Sequence, residues 1–190
     1  MKLHRLLLLG LFALLPGAFT TPGQQQAPSS RGWQRTQKTD AAREPTATQF
    51  SLPGKFLTRP QKDPGDPPAL VVVCKPHASK GRFSAASVNV GAPLDIEYVE
   101  PAEIKAGTSY FPKVSVRYRL DDGRETKERW TPGTDKTSAS IPKAALEKVL
   151  RARTVQIKVQ EYRGGEITTQ FDIPDSTLLA TTCNLPAHQK

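Results

Sequence analysis

Apolar and polar residues alternate with a period of two along much of the chain between residues 69 and 173. This period buries one face of a strand and leaves the other in water. It predicts strands at residues 83–90, 94–99, 114–120, 126–130, 155–159 and 167–173, after a continuous apolar strand at 69–74. Shorter polar strands are predicted at 33–38 and 46–52, whereas residues 54–68, rich in proline and glycine, predict a surface crossover.

Turn residues indicate which of these strands pair. The Asp-Asp-Gly sequence at 121–123 and the Arg-Gly-Gly sequence at 163–165 favour tight hairpin turns, because such residues tolerate positive φ. The Gly-Ala-Pro sequence at 91–93 predicts that the strands on either side of it pair with each other. In the second of these strands, Leu94, Ile96 and Tyr98 are expected to share a face.

Two segments have helical periodicity. Residues 141–153 are expected to form a helix capped by Ser140, with Pro142 in its first turn. Its apolar stripe consists of Ala145, Leu146, Val149 and Leu150. Residues 176–183 predict a shorter helix capped by Asp175, and its inward positions are Leu178, Leu179 and Thr182. The expected fold is mainly β, of α+β type: an antiparallel β-sandwich or curled sheet with one or two short helices.

Residues 1–20 have the pattern of a secretory signal peptide. Lys2 and Arg5 precede an apolar run of about ten residues, whereas a membrane-spanning helix needs roughly 20. We expect cleavage near the end of this segment, a flexible leader at 21–31 and a single β-rich domain at 32–186, with no transmembrane segment left after cleavage. The expected location is the periplasm or the extracellular medium.

The chain has two cysteines, Cys74 and Cys183. In an oxidising compartment such a pair is expected to form a disulfide, which closes a loop of about 110 residues. An alternative is a zinc site in which His77 and His188 join both sulfurs. Because zinc requires reduced thiolates, the zinc content of protein purified without reductant distinguishes the two.

Charge and aromatic content give little indication of a specific ligand surface. The 190-residue chain has a net charge of +9, or about +7 once Lys2 and Arg5 are removed. Basic residues are spread along the chain without interleaved aromatics, which argues against nucleic-acid binding and favours an ordinary solvated surface. The alternative is a loose attraction to anionic partners such as cell-wall polymers or lipid head groups. Trp130 and Tyr110 are single aromatics, expected in the core or at its rim rather than on a ligand surface.

Candidate catalytic groups are few. The sequence contains neither a Gly-x-Ser-x-Gly nucleophile elbow nor a phosphate-binding glycine loop. The carboxylate pairs Asp121 with Asp122, and Glu97 with Glu100, have the composition of a glycosidase pair. Asp-Asp-Gly is, however, an ordinary turn sequence, and Asp95 and Glu97 are expected to face solvent. We therefore predict no catalytic residue, no cofactor and no metal site.

Several landmarks follow one another in a characteristic order over residues 33–185. They are Trp33, Asp40, the strand ending in Cys74, the Arg-Tyr-Arg-Leu-Asp sequence at 117–121, Trp130, a helix, the pair Phe171 and Asp172, and Cys183. This order resembles the VasI/TagO-type periplasmic proteins, accessory components of bacterial type VI secretion systems. The resemblance implies the same fold plan with two half-cystines, and it implies no catalytic residue.

The sequence thus predicts a non-enzymatic, disulfide-linked binding module of the cell envelope. Its expected partner is an envelope protein or a cell-wall polymer. The resemblance implies an accessory role in a type VI secretion apparatus. Two alternatives stay open: a secreted cell-wall hydrolase, and an inhibitor or immunity-type binding protein.

Overall fold

A computed structural model describes residues 32–39, 41, 45–59, 67–75, 83–99 and 111–185. The expected signal peptide at 1–20 and leader at 21–31 lie outside these residues, as do Asp40, His77, Glu100, Tyr110 and His188. Within the described ranges, no helix is both long and apolar enough to cross a membrane.

The described residues form eleven strands and two short helices. The strands are β1 (Gln34–Thr39), β2 (Pro45–Pro53), β3 (Lys55–Thr58), β4 (Ala69–Lys75), β5 (Phe83–Asn89), β6 (Glu97–Val99), β7 (Phe111–Leu120), β8 (Thr126–Pro132), β9 (Ser138–Ser140), β10 (Thr154–Gln160) and β11 (Glu166–Asp172). The helices are α1 (Lys143–Arg151) and α2 (Thr177–Cys183). The predicted mainly β fold with short helices is confirmed.

The strands belong to one antiparallel sheet with the order β1-β2-β4-β5-β9-β8-β7-β10-β11-β3, and β6 pairs with β7 outside this path. β2 and β3 stand near opposite ends of the order, yet only Gly54 separates them in the chain. A flat sheet would place them roughly 40 Å apart at the usual strand spacing. The sheet therefore curls, because a single stretch of chain that bends at Gly54 takes part in strand pairing near both ends of the strand order.

Side chains from both halves of the curl meet in one apolar core. Its largest fully buried members include Trp130, Tyr118, Phe50 and Phe171. Along β4, β7 and β10, buried positions alternate with partly exposed ones, as the period of two predicts. The predicted apolar stripe of α1 is buried at all four positions.

Both predicted hairpins are confirmed. β7 pairs with β8 across a turn in which Asp121 has a φ of 47°, and the Gly123 N–H donates to the Leu120 carbonyl. β10 pairs with β11 across a turn in which Arg163 has a φ of 56°. At both sites the turn residues therefore predict the strand pairing correctly, since the two strands that they join are neighbours in the sheet.

The predicted pairing across residues 91–93 is wrong, since β5 pairs with β4 and β9, and β6 pairs with β7. Asn89 Oδ1 accepts the Gly91 N–H at 2.7 Å, and the Leu94 N–H donates to the Lys136 carbonyl at 2.9 Å. Because of these bonds, the chain after β5 runs to the other half of the curled sheet and does not turn back to pair with β5. Of the three residues expected to share a strand face, Leu94 is buried and lies outside β6, whereas Tyr98 lies in β6 and is 66% exposed.

The region 54–68 is not wholly a surface crossover, because Lys55–Thr58 forms β3 against β11. The predicted cap of α1 is also wrong. Ser140 ends β9, and Pro142 occupies the N-cap position without a side-chain cap. The three-residue strand β9 ends where the expected cap begins, so Ser140 is engaged in the sheet.

One predicted inward residue of α2 points the other way. Leu178 is 60% exposed, whereas Leu179 and Thr182 are buried as expected. The bond from Cys183 to β4 fixes the buried face, and residues three and four positions earlier share that face while Leu178, five positions earlier, does not. Ser176 is the N-cap, and Asp175 Oδ1 accepts the Thr177 N–H at 2.9 Å.

Gly54→Ala is expected to destabilise the protein by about 1–3 kcal/mol, the usual cost of overpacking. A Cβ at this position would lie 2.5 Å from Cε1 of Phe171 and 2.8 Å from the carbonyl oxygen of Gln170. Gly165→Ala is the matched control, since its added Cβ meets nothing within 4 Å. Urea unfolding compares the variants, and equal loss of stability in both contradicts the steric argument.

Asp121 joins the β7–β8 turn to the start of β10. Its Oδ1 accepts the N–H of Arg153 at 2.8 Å and that of Thr154 at 2.9 Å. The hydrogen bond from Thr154, assisted by that from Arg153, holds the pKa of Asp121 below its usual value. The carboxylate therefore stabilises the folded state in its ionised form.

Asp121→Ala is expected to lower the free energy of unfolding by about 1 kcal/mol. This value is at the low end for the loss of two hydrogen bonds, because Asp121 is exposed and water competes for the same N–H groups. Asp121→Asn keeps an acceptor oxygen and should lose less. Since the folded-state pKa of Asp121 is lowered, its negative charge stabilises the folded protein above about pH 4. This contribution disappears as the pH falls through the folded-state pKa. Urea unfolding at neutral and acid pH checks this, and a wild-type advantage over Asp121→Asn that persists in strong acid contradicts it.

Candidate functional site

The predicted disulfide is present between Cys74 of β4 and Cys183 of α2, with 5.1 Å between the Cα atoms. Both residues are buried, so the bond fastens α2 over the core. The zinc alternative required both sulfurs as free thiolates, and they are bonded to each other. No group of three His, Cys, Asp or Glu residues that could hold a metal ion occurs in the part of the chain that the structure describes.

Of the two carboxylate pairs considered from the sequence, only Asp121 with Asp122 lies wholly within the described residues, in the exposed β7–β8 turn. Asp95 and Glu97 are exposed, as expected, and Glu97 Oε2 lies 3.7 Å from Nε of Arg129. Asp121 is thus held in turn geometry and Glu97 in a surface ion pair.

A row of cations crosses the outer face of the sheet, where Lys127, Arg117 and Lys158 lie opposite one another on β8, β7 and β10. They border a recess of about 310 Å³. Opposed like charges destabilise a sheet unless they are compensated. Glu125 lies 2.9 Å from Lys158 and 3.6 Å from Arg117, and Glu166 contacts Arg117.

This compensation reduces the value of the row as a ligand site. The hydrogen bond from Lys158 is the main cause that lowers the pKa of Glu125. Two of the three cations therefore already have carboxylate partners within the sheet. The carboxylates offset the repulsion within the row, and the chemistry left for a ligand is limited.

Trp130 belongs to the core, as predicted, and shares a carboxylate with Tyr118. The Tyr118 hydroxyl donates to Glu128 Oε1 at 2.7 Å, and the Trp130 Nε1–H donates to Oε2 at 2.9 Å. Burial, with a further contribution from Glu128, raises the pKa of Tyr118 to about 12. Both carboxylate oxygens thus satisfy buried donors, and the arrangement anchors the core.

One recess lies where the chain bends at Gly54, and we call it the Gly54 cleft. Its volume is about 690 Å³. It is lined by Gly32, Leu52, Pro53, Gly54, Lys55, Arg153, Gln170, Asp172, Ile173 and Pro174. The cleft therefore joins the start of β1, the bent β2–β3 strand and the end of β11.

Hydrogen bonds fix the polar groups of the Gly54 cleft. Gln170 Nε2 donates to Asp172 Oδ1 at 3.1 Å, and Gln156 Nε2 donates to Gln170 Oε1 at 3.3 Å. Lys55 lies opposite Gln170 across the β3–β11 pair. Neither Lys55 nor Arg153 forms a salt bridge with another described residue, so the cleft presents two cations against one carboxylate.

Trp33 adds an unsatisfied donor beside the Gly54 cleft. It follows Gly32, a lining residue, and packs partly buried against the core. Its indole Nε1 is buried and has no acceptor within the described ranges. Buried donors normally have hydrogen-bond acceptors, so it is unusual that this nitrogen lacks one among the described residues.

Fold and cleft together define a disulfide-linked, mainly β protein with an open polar cleft at a bend in its sheet. Comparison of the sequence with protein-family models, curated proteins and solved structures finds no match in any of the three. The disulfide is of a kind that persists in oxidising compartments.

Proposed function

We propose that the protein is a non-enzymatic binding module of the cell envelope, and that the Gly54 cleft binds an anionic group of its partner. The observation that carries this proposal is a cleft of about 690 Å³ with Lys55 and Arg153 on its walls. Ligand sites commonly have volumes of roughly 300–1,000 Å³ with a few fixed polar groups. Gln170 and Asp172, held by hydrogen bonds, supply such groups.

Binding is favoured over catalysis by the roles that the carboxylates fill. Glu128 accepts bonds from two buried aromatic residues. Asp121 and Asp135 accept backbone N–H groups, and Glu125 is paired with Lys158. A general acid or base must instead be within reach of a substrate proton.

The proposed location is the periplasm or the extracellular medium, after removal of the predicted signal peptide. Within that location we propose an accessory role in a type VI secretion apparatus, supported by the landmark order from Trp33 to Cys183. The disulfide between Cys74 and Cys183 supports an oxidising compartment. The proposed partner is an envelope protein of that apparatus.

Site-specific crosslinking in the native envelope tests the proposal. A photoreactive residue replaces Pro174 at the wall of the cleft, and in a matched control it replaces Lys148, an exposed residue of α1 outside the cleft. Mass spectrometry then identifies the captured molecules. The expected result is a secretion-apparatus subunit captured from position 174 and not from position 148, with capture lost in the Arg153→Glu background.

Other captured molecules would favour the alternatives. Glycan captured alone indicates cell-wall binding, and a single captured enzyme indicates an inhibitor or immunity-type protein. Zymography against peptidoglycan separates the hydrolase, since clearing of the substrate by purified protein contradicts a non-enzymatic role. Equal capture from positions 174 and 148 contradicts the assignment of the cleft.

A further inference from the structure

β1 is an edge strand that contributes nothing to the core. All six of its residues are exposed. It pairs with β2 on one side and stands at the end of the strand order. Within the described residues, the other side of β1 has no partner strand. Among these residues, the backbone N–H and C=O groups on that side of β1 therefore have no strand to pair with.

The other end of the strand order differs from β1. β3 has four residues, and its register shifts between Thr168 and Thr169 of β11. Short and irregular edges discourage the addition of a strand. β1 has six residues and keeps a continuous register with β2 from Gln34 to Lys38, and its register shifts only at the last residue, between Lys38 and Thr39. Of these two edges, only β1 is long and regular enough to template another strand.

Charge indicates what kind of strand fits this edge. β1 carries Arg35 and Lys38, and the described residues of β1 and β2 include no acidic side chain. A second copy of the chain would bring two such cationic strands together. An acidic segment instead places opposite charges across the new pair, which stabilises it.

We propose that β1 accepts an extended acidic segment of a partner protein as an added strand. Backbone bonds along the open edge supply the pairing. Carboxylates separated by two residues lie opposite Arg35 and Lys38, on the two faces of the sheet. The proposal deepens the proposed binding function, and it does not require that the Gly54 cleft bind anything.

Amide hydrogen exchange, followed residue by residue by NMR, tests the added strand in the mature protein with its disulfide intact. The probe is a synthetic peptide of valine and threonine carrying two glutamates separated by two residues. Only every second N–H of β1 points away from β2, so saturating peptide is expected to slow exchange at alternate residues of Gln34–Thr39. The same peptide with lysine in place of glutamate should produce no such pattern.

Charge-reversal variants complete the test. Arg35→Glu/Lys38→Glu is expected to weaken peptide binding about tenfold or more, because two attractive pairs become repulsive. Arg124→Glu/Lys127→Glu makes the same change in net charge on exposed residues of the β7–β8 hairpin and should leave binding unchanged.

Three results overturn the proposal. One is exchange in β1 that the glutamate peptide leaves unaltered or slows uniformly. Another is peptide protection confined to the Gly54 cleft, which would support the cleft and reject the added strand. The third is alternate protection of β1 that rises with protein concentration when no peptide is present, since this identifies a second copy as the occupant.

Discussion

Removal of the Cys74–Cys183 disulfide is expected to lower the free energy of unfolding by up to about 4–5 kcal/mol. The two cysteines are 109 positions apart in sequence, so the bond closes most of the described chain into one loop. In the chain-entropy model, such a crosslink stabilises by restricting the unfolded state, and the effect increases with loop length. For a protein of this size the loss corresponds to a fall in Tm of roughly 10–15 °C.

Thermal unfolding of the wild type and of Cys74→Ala/Cys183→Ala, each with and without reductant, measures this effect. Reductant should lower the Tm of the wild type toward that of the variant and leave the variant unchanged. α2, which the bond fastens to β4, should lose protection first. Coincident wild-type curves with and without reductant would show that the crosslink does not stabilise the fold.

Glu128→Ala is expected to have the second large effect, a loss of about 2–5 kcal/mol. The change leaves the Tyr118 hydroxyl and the Trp130 Nε1–H, which both donate to Glu128, without an acceptor. Both aromatic residues are buried, with 2% and 1% exposure, whereas Glu128 is only partly buried, so water replaces part of the lost carboxylate and the loss lies in the lower part of this range. Each unsatisfied buried donor costs about 1–3 kcal/mol.

A double-mutant cycle isolates this contribution. In the Tyr118→Phe background one of the two donors is already absent, so Glu128→Ala should cost less there than in the wild type. Glu128→Gln keeps one acceptor oxygen and should lie between wild type and Glu128→Ala. Urea unfolding gives the four stabilities of the cycle, and additive losses would show that Glu128 does not act through Tyr118.

Alkaline pH provides a second check on the same contact. Burial and Glu128 raise the pKa of Tyr118 to about 12, whereas a tyrosine in the unfolded chain titrates near 10. A raised folded-state pKa contributes stability that is complete below about pH 10 and is lost as pH rises through about 12. Wild type should therefore lose more stability over this interval than Tyr118→Phe does.

The hairpins could be predicted from sequence because all their determinants are local. In β7–β8, alternation and an Asp-Asp-Gly turn fall within one short stretch, and turn and pairing agree. The pairing across 91–93 could not be predicted, because the N–H groups of Val90 and Leu94 find their acceptors at Thr137 and Lys136, far along the chain. β3 and β9 were missed for the same reason, since short strands are ordered by partners remote in sequence.

The Gly54 cleft also could not be predicted from local sequence patterns. Lys55 and Arg153 occur in ordinary polar positions, and neither has a neighbour in sequence that indicates a site. They line one cleft because β3 pairs with β11, whose end lies beside the start of β10. The disulfide could be predicted, since two cysteines in an oxidising compartment leave one intramolecular pairing.

The bend at Gly54 also constrains when the protein can fold. β3 is synthesised long before β11, yet Thr58 pairs with Thr168. Until β11 is available, Phe56 lacks its neighbour Thr169 and the curl stays open. Such high contact order slows folding and delays closure of the curl until β11 has been synthesised. A chain truncated before Glu166 should therefore form its early strands but leave the apolar core residues of those strands exposed to water.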